Sequence, residues 1–409
     1  MNNQFIYISG QPDLKSDTVK NIHELGYKAG LLYDTRLNTT YEGQFDRIIN
    51  VDFTDLESEL PRLKSLNLEA TGFLCTYENY IVAKARISRY FNTRSLSLGS
   101  ARACTDKALM RQAFINTDPS ISPNFSIIDG LASAESFAHT YGYPLIIKPT
   151  GLVKSLLVMR CNNHQELTKN VQYALGSIDK LYQRYRIYDR KPQLIIEECL
   201  KGAQFSIAAF VDENGDPHFA EGVVSLTTAQ DIGKDDTYIY KRQLPAIIKP
   251  ELTAELLRIS AIGIRSLDMR SSAAHIELMS TSEGVKIIEI GARIGGYRPR
   301  MYQYCFSINL VQQDIRLALG QKPELANSLS QYCAVYELFP DEEGIFTSIN
   351  GTIDYSELTY YRETTSRGNR IGPAKNGYKA TVIIIVTSHD MATFSRLCRD
   401  VETLSVEVS

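Results

Sequence analysis

Residues 273–293 read AAHIELMSTSEGVKIIEIGAR, and the reading of this stretch decides the fold. Two apolar runs, Ala273 to Met279 and Val285 to Ile290, flank Thr281-Ser282-Glu283-Gly284, which predicts an antiparallel hairpin. Side chains alternate along a strand, so His275 and Glu277 share one face while Ala274, Ile276 and Leu278 share the other. On the return strand Glu289 and Gly291 share a face, joined by Arg293 where the chain stays extended. With the turn centred on Ser282-Glu283, Glu277 and Glu289 fall opposite each other. Like charges facing across a ladder repel, so a cation belongs between them. A hard divalent ion carrying phosphate oxygens fits, because Mg²⁺ is commonly held by one or two carboxylates plus substrate phosphates. A solvated sheet face neutralised by His275 or Arg293 accounts for the pair equally well.

Upstream, the first hundred residues alternate strand and helix signals. Strands are expected at Phe5 to Ile8, Ala29 to Tyr33, Arg47 to Val51 and Ala70 to Cys75, with a helix from Asp13 to Leu25 closed by Gly26. That is the pattern of a parallel α/β layer. Ser9-Gly10-Gln11-Pro12 stands after the first strand where a dinucleotide fold would want GxGxxG. A helix starts near Thr105, read as its N-cap, with Asp106 suiting the positive helix end. Leu145 to Pro149 and Leu194 to Glu198 read as strands, and Phe205 to Val211 with His218 to Val224 as a hairpin around Asn214-Gly215. Helices are expected over Leu252 to Leu267, Ile308 to Leu319 and Met391 to Leu404. From about Gln331 tyrosine, glycine and threonine rise, and strand signals dominate through Thr381 to Thr387. The expected organisation is an α/β domain over 1–103, a central domain over 104–330 with a subdomain at about 125–200, and a small α+β unit over 331–409.

The chain has 409 residues, 44% of them hydrophobic and 22% charged, which suits a globular protein of two or three domains. A net charge of -3 argues against a general nucleic-acid binder. No apolar run reaches membrane-spanning length, and the N-terminus lacks the pattern of a signal peptide. The seven cysteines are scattered without a CxxC pair, so a disulfide framework or structural zinc site is not expected and a reducing cytoplasm is.

Four further features carry chemistry. Lys148 ends an apolar strand, from which a lysine can reach phosphates. Lys107 sits in the first turn of its helix, the electrostatically wrong end for a cation. Glu197-Glu198-Cys199-Leu200 with Gly202 and Gln204 closes an apolar strand, where carboxylates and backbone can meet a base and ribose. Arg293 and Arg298 bracket Gly295-Gly296, whose lack of side chains permits close approach to a ligand. Each feature alone also reads as ordinary solvated surface.

Taken in order, these pieces resemble the ATP-grasp superfamily over nearly the whole chain. Asp106-Lys107 with Met110-Arg111 resembles its first lysine motif and Pro144 to Pro149 its second. Glu197 to Gln204 resembles its adenine and ribose strand. His275-x-Glu277 and Glu289-x-Gly291-x-Arg293 resemble its metal and transition-state motif. Glu289-Ile290-Gly291-Ala292-Arg293-Ile294-Gly295-Gly296 is similar to the carboxylate–amine ligase branch that includes bacterial L-amino acid ligases. The resemblance implies an ATP-grasp fold preceded by a parallel α/β domain and followed by a small α+β domain. It implies ATP and Mg²⁺ as cofactors, with one or two ions and Mn²⁺ as a substitute. Lys107 and Lys148 would bind ATP phosphates, joined by Lys154 and Ser155 of the phosphate loop. Glu197, Glu198 and Leu200 would line the adenine pocket, with Gln204 at the ribose. Glu277 and Glu289 would hold metal, and Arg293 would stabilise charge on an acyl phosphate. His275, Tyr297 and Arg298 would face substrate.

The chain departs from the family pattern in three places. Thr150 to Leu157 has one glycine where the phosphate loop is usually glycine-rich, Gln204 replaces the ribose acid, and Gly291 replaces an asparagine. The activity implied is ATP-dependent joining of a small-molecule carboxylate to an amine, with no nucleic-acid or membrane partner and a homodimer as the family-level assembly. A carboxylase or formate-dependent transferase of purine-type metabolism, and an ATP-binding scaffold without turnover, are the alternatives.

Overall fold

The computed structural model describes residues 4–13, 17–37, 39, 41, 43–152, 156–236 and 238–409. The chain opens with β1 (Phe5–Gly10), α1 (Thr18–Glu24), β2 (Lys28–Asp34), β3 (Arg47–Val51), α2 (Leu56–Ser65) and β4 (Ala70–Leu74). These strands form one parallel sheet in the order β3-β2-β1-β4. They carry short apolar runs because helices cover the sheet and leave β1 buried along its length. The expected helix from Asp13 begins at Thr18, and part of that expectation, residues 14–16, lies outside the described residues. A single-turn 3₁₀ segment, Glu78–Tyr80, follows β4 and leads into α3 (Ile81–Tyr90), α4 (Leu98–Ala103) and α5 (Lys107–Thr117).

The expected cap of α5 is corrected by one residue. Asp106 accepts from the Ala108 and Leu109 N–H groups at 2.9 and 3.2 Å. The Thr105 hydroxyl instead donates back to the Ala101 carbonyl at 2.9 Å and closes α4. An aspartate at the N-cap satisfies two orphan donors and complements the dipole, a combination a threonine hydroxyl cannot supply.

A second sheet is built from β5 (Phe125–Ile128), β6 (Leu145–Pro149), β7 (Met159–Cys161) and β8 (Leu194–Glu198), in the order β5-β8-β6-β7, with α6 (Leu131–Tyr141) and α7 (His164–Arg184) beside it. The 21-residue α7 is held by its amphipathic pattern: Leu167, Val171, Ala174, Ile178 and Tyr182 recur every three or four residues and all are buried. Burying Leu167, Val171 and Ile178 contributes about 1.5–3 kcal/mol each. Asn163 caps its N-terminus by accepting from the Glu166 N–H at 2.9 Å.

The largest sheet uses β9 (Ala203–Val211), β10 (Pro217–Phe219), β11 (Val224–Thr228), β12 (Ile239–Leu244), β13 (Ser272–Thr281) and β14 (Gly284–Gly291), with α8 (Pro250–Ser266), α9 (Arg298–Phe306) and α10 (Leu310–Ala318) packed around it. The expected return strand at 218–224 is broken in two. β10 pairs with the Ala209–Val211 end of β9, the chain turns at Gly222 (φ +83°), and β11 rejoins β9 opposite Gln204 to Ser206. The residues after 331 give β15 (Tyr332–Leu338), β16 (Gly344–Asn350), β17 (Tyr360–Glu363), β18 (Arg370–Ile371), β19 (Val382–Ser388), α11 (Met391–Glu402) and β20 (Ser405–Val408). β15, β19 and β17 continue the large sheet, which runs β14-β13-β9-β11-β12-β15-β19-β17, while β16, β18 and β20 form a small sheet of their own.

The opening hairpin sits at one end of the nine-stranded sheet, with Glu277 paired directly with Glu289 and a register irregularity just after Glu277. Ala274, Ile276 and Leu278 are buried in a core shared with Met110 and Phe114 of α5 and Ile259 and Ile264 of α8. That packing fixes the register, because a one-residue slip would turn the glutamates into this core.

Candidate functional site

The polar face of the β13–β14 hairpin looks toward the start of α5. The Lys107 ammonium donates to Glu289 Oε1 at 3.1 Å and to the Leu152 carbonyl at 3.0 Å. Its own N–H donates to the Thr150 carbonyl at 2.9 Å. The cation expected between the glutamates is thus partly supplied by Lys107. Glu277 pairs instead with His275 Nε2 at 3.2 Å. Both carboxylates keep about 30% of their side-chain surface open, 29% for Glu277 and 30% for Glu289, so each has a face left for a ligand.

The charges follow from this packing. Burial pushes the Glu277 carboxyl up, but the His275 hydrogen bond and charge, with Arg298 and Arg242, outweigh it and hold the group at about 2. Burial holds His275 below the usual imidazole range. Its Nδ1 is buried with no hydrogen-bond partner among the described residues. A Cβ at Gly295 would stand 2.5 Å from that nitrogen, so this glycine lets the backbone lie against the imidazole.

Lys148 and Glu197 come from adjacent strands, β6 and β8, and meet Arg111, one turn after Lys107 on α5. Lys148 Nζ lies 2.7 Å from Glu197 Oε2, and Arg111 Nε donates to Glu197 Oε1 at 2.8 Å. Arg111 Nη2 also donates to the Ile288 carbonyl at 2.7 Å, tying the triad to β14. All three side chains are buried. Burial draws the Lys148 ammonium down to about 8, with Arg111 and Lys107 adding to it and Glu197 opposing. Burial also works against the Glu197 charge, but Arg111 and Lys148 hold its carboxyl below the usual range. Both Glu197 oxygens are therefore engaged by cations, which makes it the counter-ion of Lys148 and not a free acceptor for a base. Glu198, on the other face of β8, accepts from the Asn124 N–H and side-chain amide, each at 2.9 Å. Leu200 is half-buried in the connection to β9, and Gln204 is half-buried on β9 opposite Met279.

Arg293 reaches back across the molecule. Its Nε donates to Glu78 Oε2 at 2.8 Å and its Nη1 to the Ile294 carbonyl at 3.0 Å. Burial opposes its charge, but Glu78 and Glu289 more than offset that and raise its pKa. Burial raises the Glu78 carboxyl against the pull of Arg293, and its second oxygen is buried without a hydrogen bond among the described residues. A Cβ at Gly291 would stand 3.4 Å from Glu78 Oε2, so this carboxylate lies beside the position where the family pattern has an asparagine.

Arg298 is buried, donates to Ser206 Oγ at 2.6 and 3.1 Å, and burial with Arg242 lowers it to about 10. The Tyr297 hydroxyl donates to Glu337 Oε1 at 2.8 Å, and Arg242 bridges to Glu337 Oε2 at 2.9 Å. Lys154 and Ser155 lie outside the described residues. The structure thus brings Lys107, Glu289, Glu277, His275, Arg293 and Arg298 to one side of the hairpin, and Lys148 with Glu197 onto Arg111. Glu78, Arg242 and Glu337 join these contacts without having been singled out in the sequence. The signal for Glu78 was its place just past the carboxyl end of a parallel strand, where α/β sheets bind ligands.

Two open carboxylates on facing strands fit a divalent ion that arrives with phosphate oxygens. No cluster of three or more metal-binding side chains exists among the described residues, so any such ion depends on ligand oxygens for the rest of its shell.

Residues 141–299 match the family described as an ATP-grasp domain. The fold is that of an L-amino acid ligase from Bacillus licheniformis, with a TM-score of 0.82, 20% identity and 100% of each chain covered. The chain therefore carries an ATP-grasp domain within the ATP-grasp fold, as the motif order implied. In sequence it is similar to an uncharacterized protein of Sinorhizobium fredii, 22% identical over 74% of this chain and 61% of that one. It is also similar to a phosphoribosylamine–glycine ligase of Methanobrevibacter smithii, 24% identical over 62% of this chain and 57% of that one. The chain thus spans about three-fifths of the length of these two relatives.

Proposed function

We propose that this protein is an ATP-dependent carboxylate–amine ligase that forms an amide bond through an acyl phosphate. The observation that carries the reading is the directly paired Glu277 and Glu289, each partly open, with Lys107 on one and His275 on the other. The ATP-grasp fold and the ligases among its relatives support it.

In this reading a substrate carboxylate oxygen attacks the γ-phosphorus of ATP, and ADP leaves. The amine then attacks the acyl carbon, inorganic phosphate leaves, and the amine proton passes to solvent or phosphate. Mg²⁺ held by Glu277 and Glu289 would neutralise phosphate charge. Lys107 and, below about pH 8, Lys148 supply positive charge, and Arg293, braced by Glu78, would face the oxygen on which charge develops. Stabilisation by such preorganised groups is the main protein contribution to phosphoryl and acyl transfer of this kind, so no nucleophilic side chain is required. His275 orients Glu277, and Tyr297 and Arg298 lie on the substrate side. Glu198, Leu200 and Gln204 border the nucleotide base and ribose.

No helix among the described residues is long and apolar enough to cross a membrane. With seven free cysteines, a reducing cytoplasm is the compartment we propose. The test is ADP and phosphate release across paired carboxylates and amines. Release that needs both partners supports the ligase. Release driven by bicarbonate or formate without an amine contradicts it.

A further inference from the structure

The loop expected to meet phosphate holds a single glycine, and the space beside that glycine is filled. A Cβ at Gly151 would stand 2.7 Å from Arg190 Cδ, 2.9 Å from the Tyr182 hydroxyl and 3.1 Å from Arg190 Nε. The Tyr182 hydroxyl accepts the Gly151 N–H at 2.8 Å, which removes this backbone donor from any ligand. Beside it lies a guanidinium.

Arg190 lies in the connection between α7 and β8, with 10% of its side chain exposed. Its Nη1 donates to the Thr105 carbonyl. Its Nε faces Asp189 Oδ1 at 3.2 Å as an ion pair, without the alignment of a hydrogen bond. Nε and Nη2 are both buried and make no hydrogen bond among the described residues. Buried guanidinium donors are normally satisfied, so Nη2 without a hydrogen bond and Nε with only a misaligned ion pair point to a missing acceptor. The placement is fixed from outside the loop. Asn79 donates to the Tyr185 carbonyl at 3.0 Å, and the Arg36 guanidinium stacks over the Tyr188 ring at 5.2 Å. The Lys107 backbone N–H meanwhile donates to the Thr150 carbonyl and its ammonium to the Leu152 carbonyl, and the Thr150 hydroxyl there is also buried without a partner among the described residues.

We infer that Arg190 is a phosphoryl-binding residue of the nucleotide site, donating Nη2–H and Nε–H to phosphate oxygens where a glycine-rich loop would use backbone N–H groups. Guanidinium suits this role because its planar fork meets two phosphate oxygens at once. The inference rests on the ATP reading above.

The test measures binding of the non-hydrolysable analogue AMP-PNP with Mg²⁺, and of adenosine, to the full chain and to R190M and R190K. R190M keeps the apolar stem that packs on Gly151 and removes the donors. It is expected to weaken AMP-PNP by about tenfold or more, the worth of one charge-assisted hydrogen bond, with adenosine unchanged. R190K, which keeps the charge and loses the fork, should fall between. AMP-PNP affinity equal to wild type in R190M, or equal losses for AMP-PNP and adenosine, overturns the assignment and leaves Arg190 as a packing residue. If R190M does not fold, R190K decides: weaker AMP-PNP with unchanged adenosine supports the role, and unchanged AMP-PNP overturns it. A wild-type chain that binds no AMP-PNP overturns the ATP reading itself, and this inference with it.

Discussion

Replacing Glu197 with glutamine tests whether the buried Arg111–Glu197–Lys148 triad is what keeps Lys148 charged. In the wild type at pH 7 the Lys148 ammonium, with its pKa near 8, is protonated. Without the Glu197 charge its pKa falls further, and the amine sheds its proton. Shedding limits the cost: from about 8 to pH 7 is one tenfold step in proton affinity, or about 1.4 kcal/mol. Arg111 cannot escape in this way, since guanidinium stays protonated. It keeps the Ile288 carbonyl but loses its charged partner, which costs about 1.5–3 kcal/mol. The expected loss at pH 7 is therefore about 3–4 kcal/mol, within the range for breaking buried pairs. The sign with pH follows. Above pH 8 Lys148 is neutral in both proteins, so the deficit of E197Q should shrink by about 1.4 kcal/mol between pH 7 and pH 9. Urea denaturation of both proteins at these two pH values, followed by a probe in the β5–β8 sheet, measures it. A deficit below about 1 kcal/mol at pH 7, or one that grows with pH, refutes the reasoning.

Two further outcomes follow from particular contacts. Because phosphate should raise the pKa of Lys148 from about 8, nucleotide binding at pH 8.5 should take up protons and weaken as pH climbs further; calorimetry in buffers of different ionisation enthalpy reads this, and K148M should lose the uptake. Gly202 lies where a Cβ would overlap the Ser280 carbonyl oxygen in the connection from β8 to β9, so Gly202→Ala should cost about 1–3 kcal/mol as an overpacking change, seen as a lower melting temperature.

The sequence made the hairpin legible because two strong local signals agree there. Alternation put Ala274, Ile276 and Leu278 in the core, and the turn length then set Glu277 against Glu289. The parallel strands of the first hundred residues were legible for the same reason: short apolar runs bounded by turn residues. What stayed hidden depends on distance along the chain. Glu78 and Arg293 are 215 residues apart, and nothing in either neighbourhood encodes the pairing. Arg190 sits in a polar stretch that reads as ordinary loop, and only its packing on Gly151 gives it meaning. The helix at Arg298–Phe306 was missed because Arg298 read as the far edge of the Gly295-Gly296 loop, although Pro299 is well placed in a first helical turn. The pairing of Glu197 with Arg111 and Lys148 stayed hidden because its two cations come from other elements, α5 and β6.

In the proposed reaction the Glu277–Glu289 pair serves ATP-driven joining of a carboxylate to an amine. The most direct measurement is ADP release by wild type and Glu289→Ala over a matrix of carboxylates and amines, with folding of the variant checked by circular dichroism. Release from wild type should require both partners, and none above background is expected from Glu289→Ala. Equal turnover by the two proteins, or nucleotide bound by wild type without ADP formed for any pair, would contradict it.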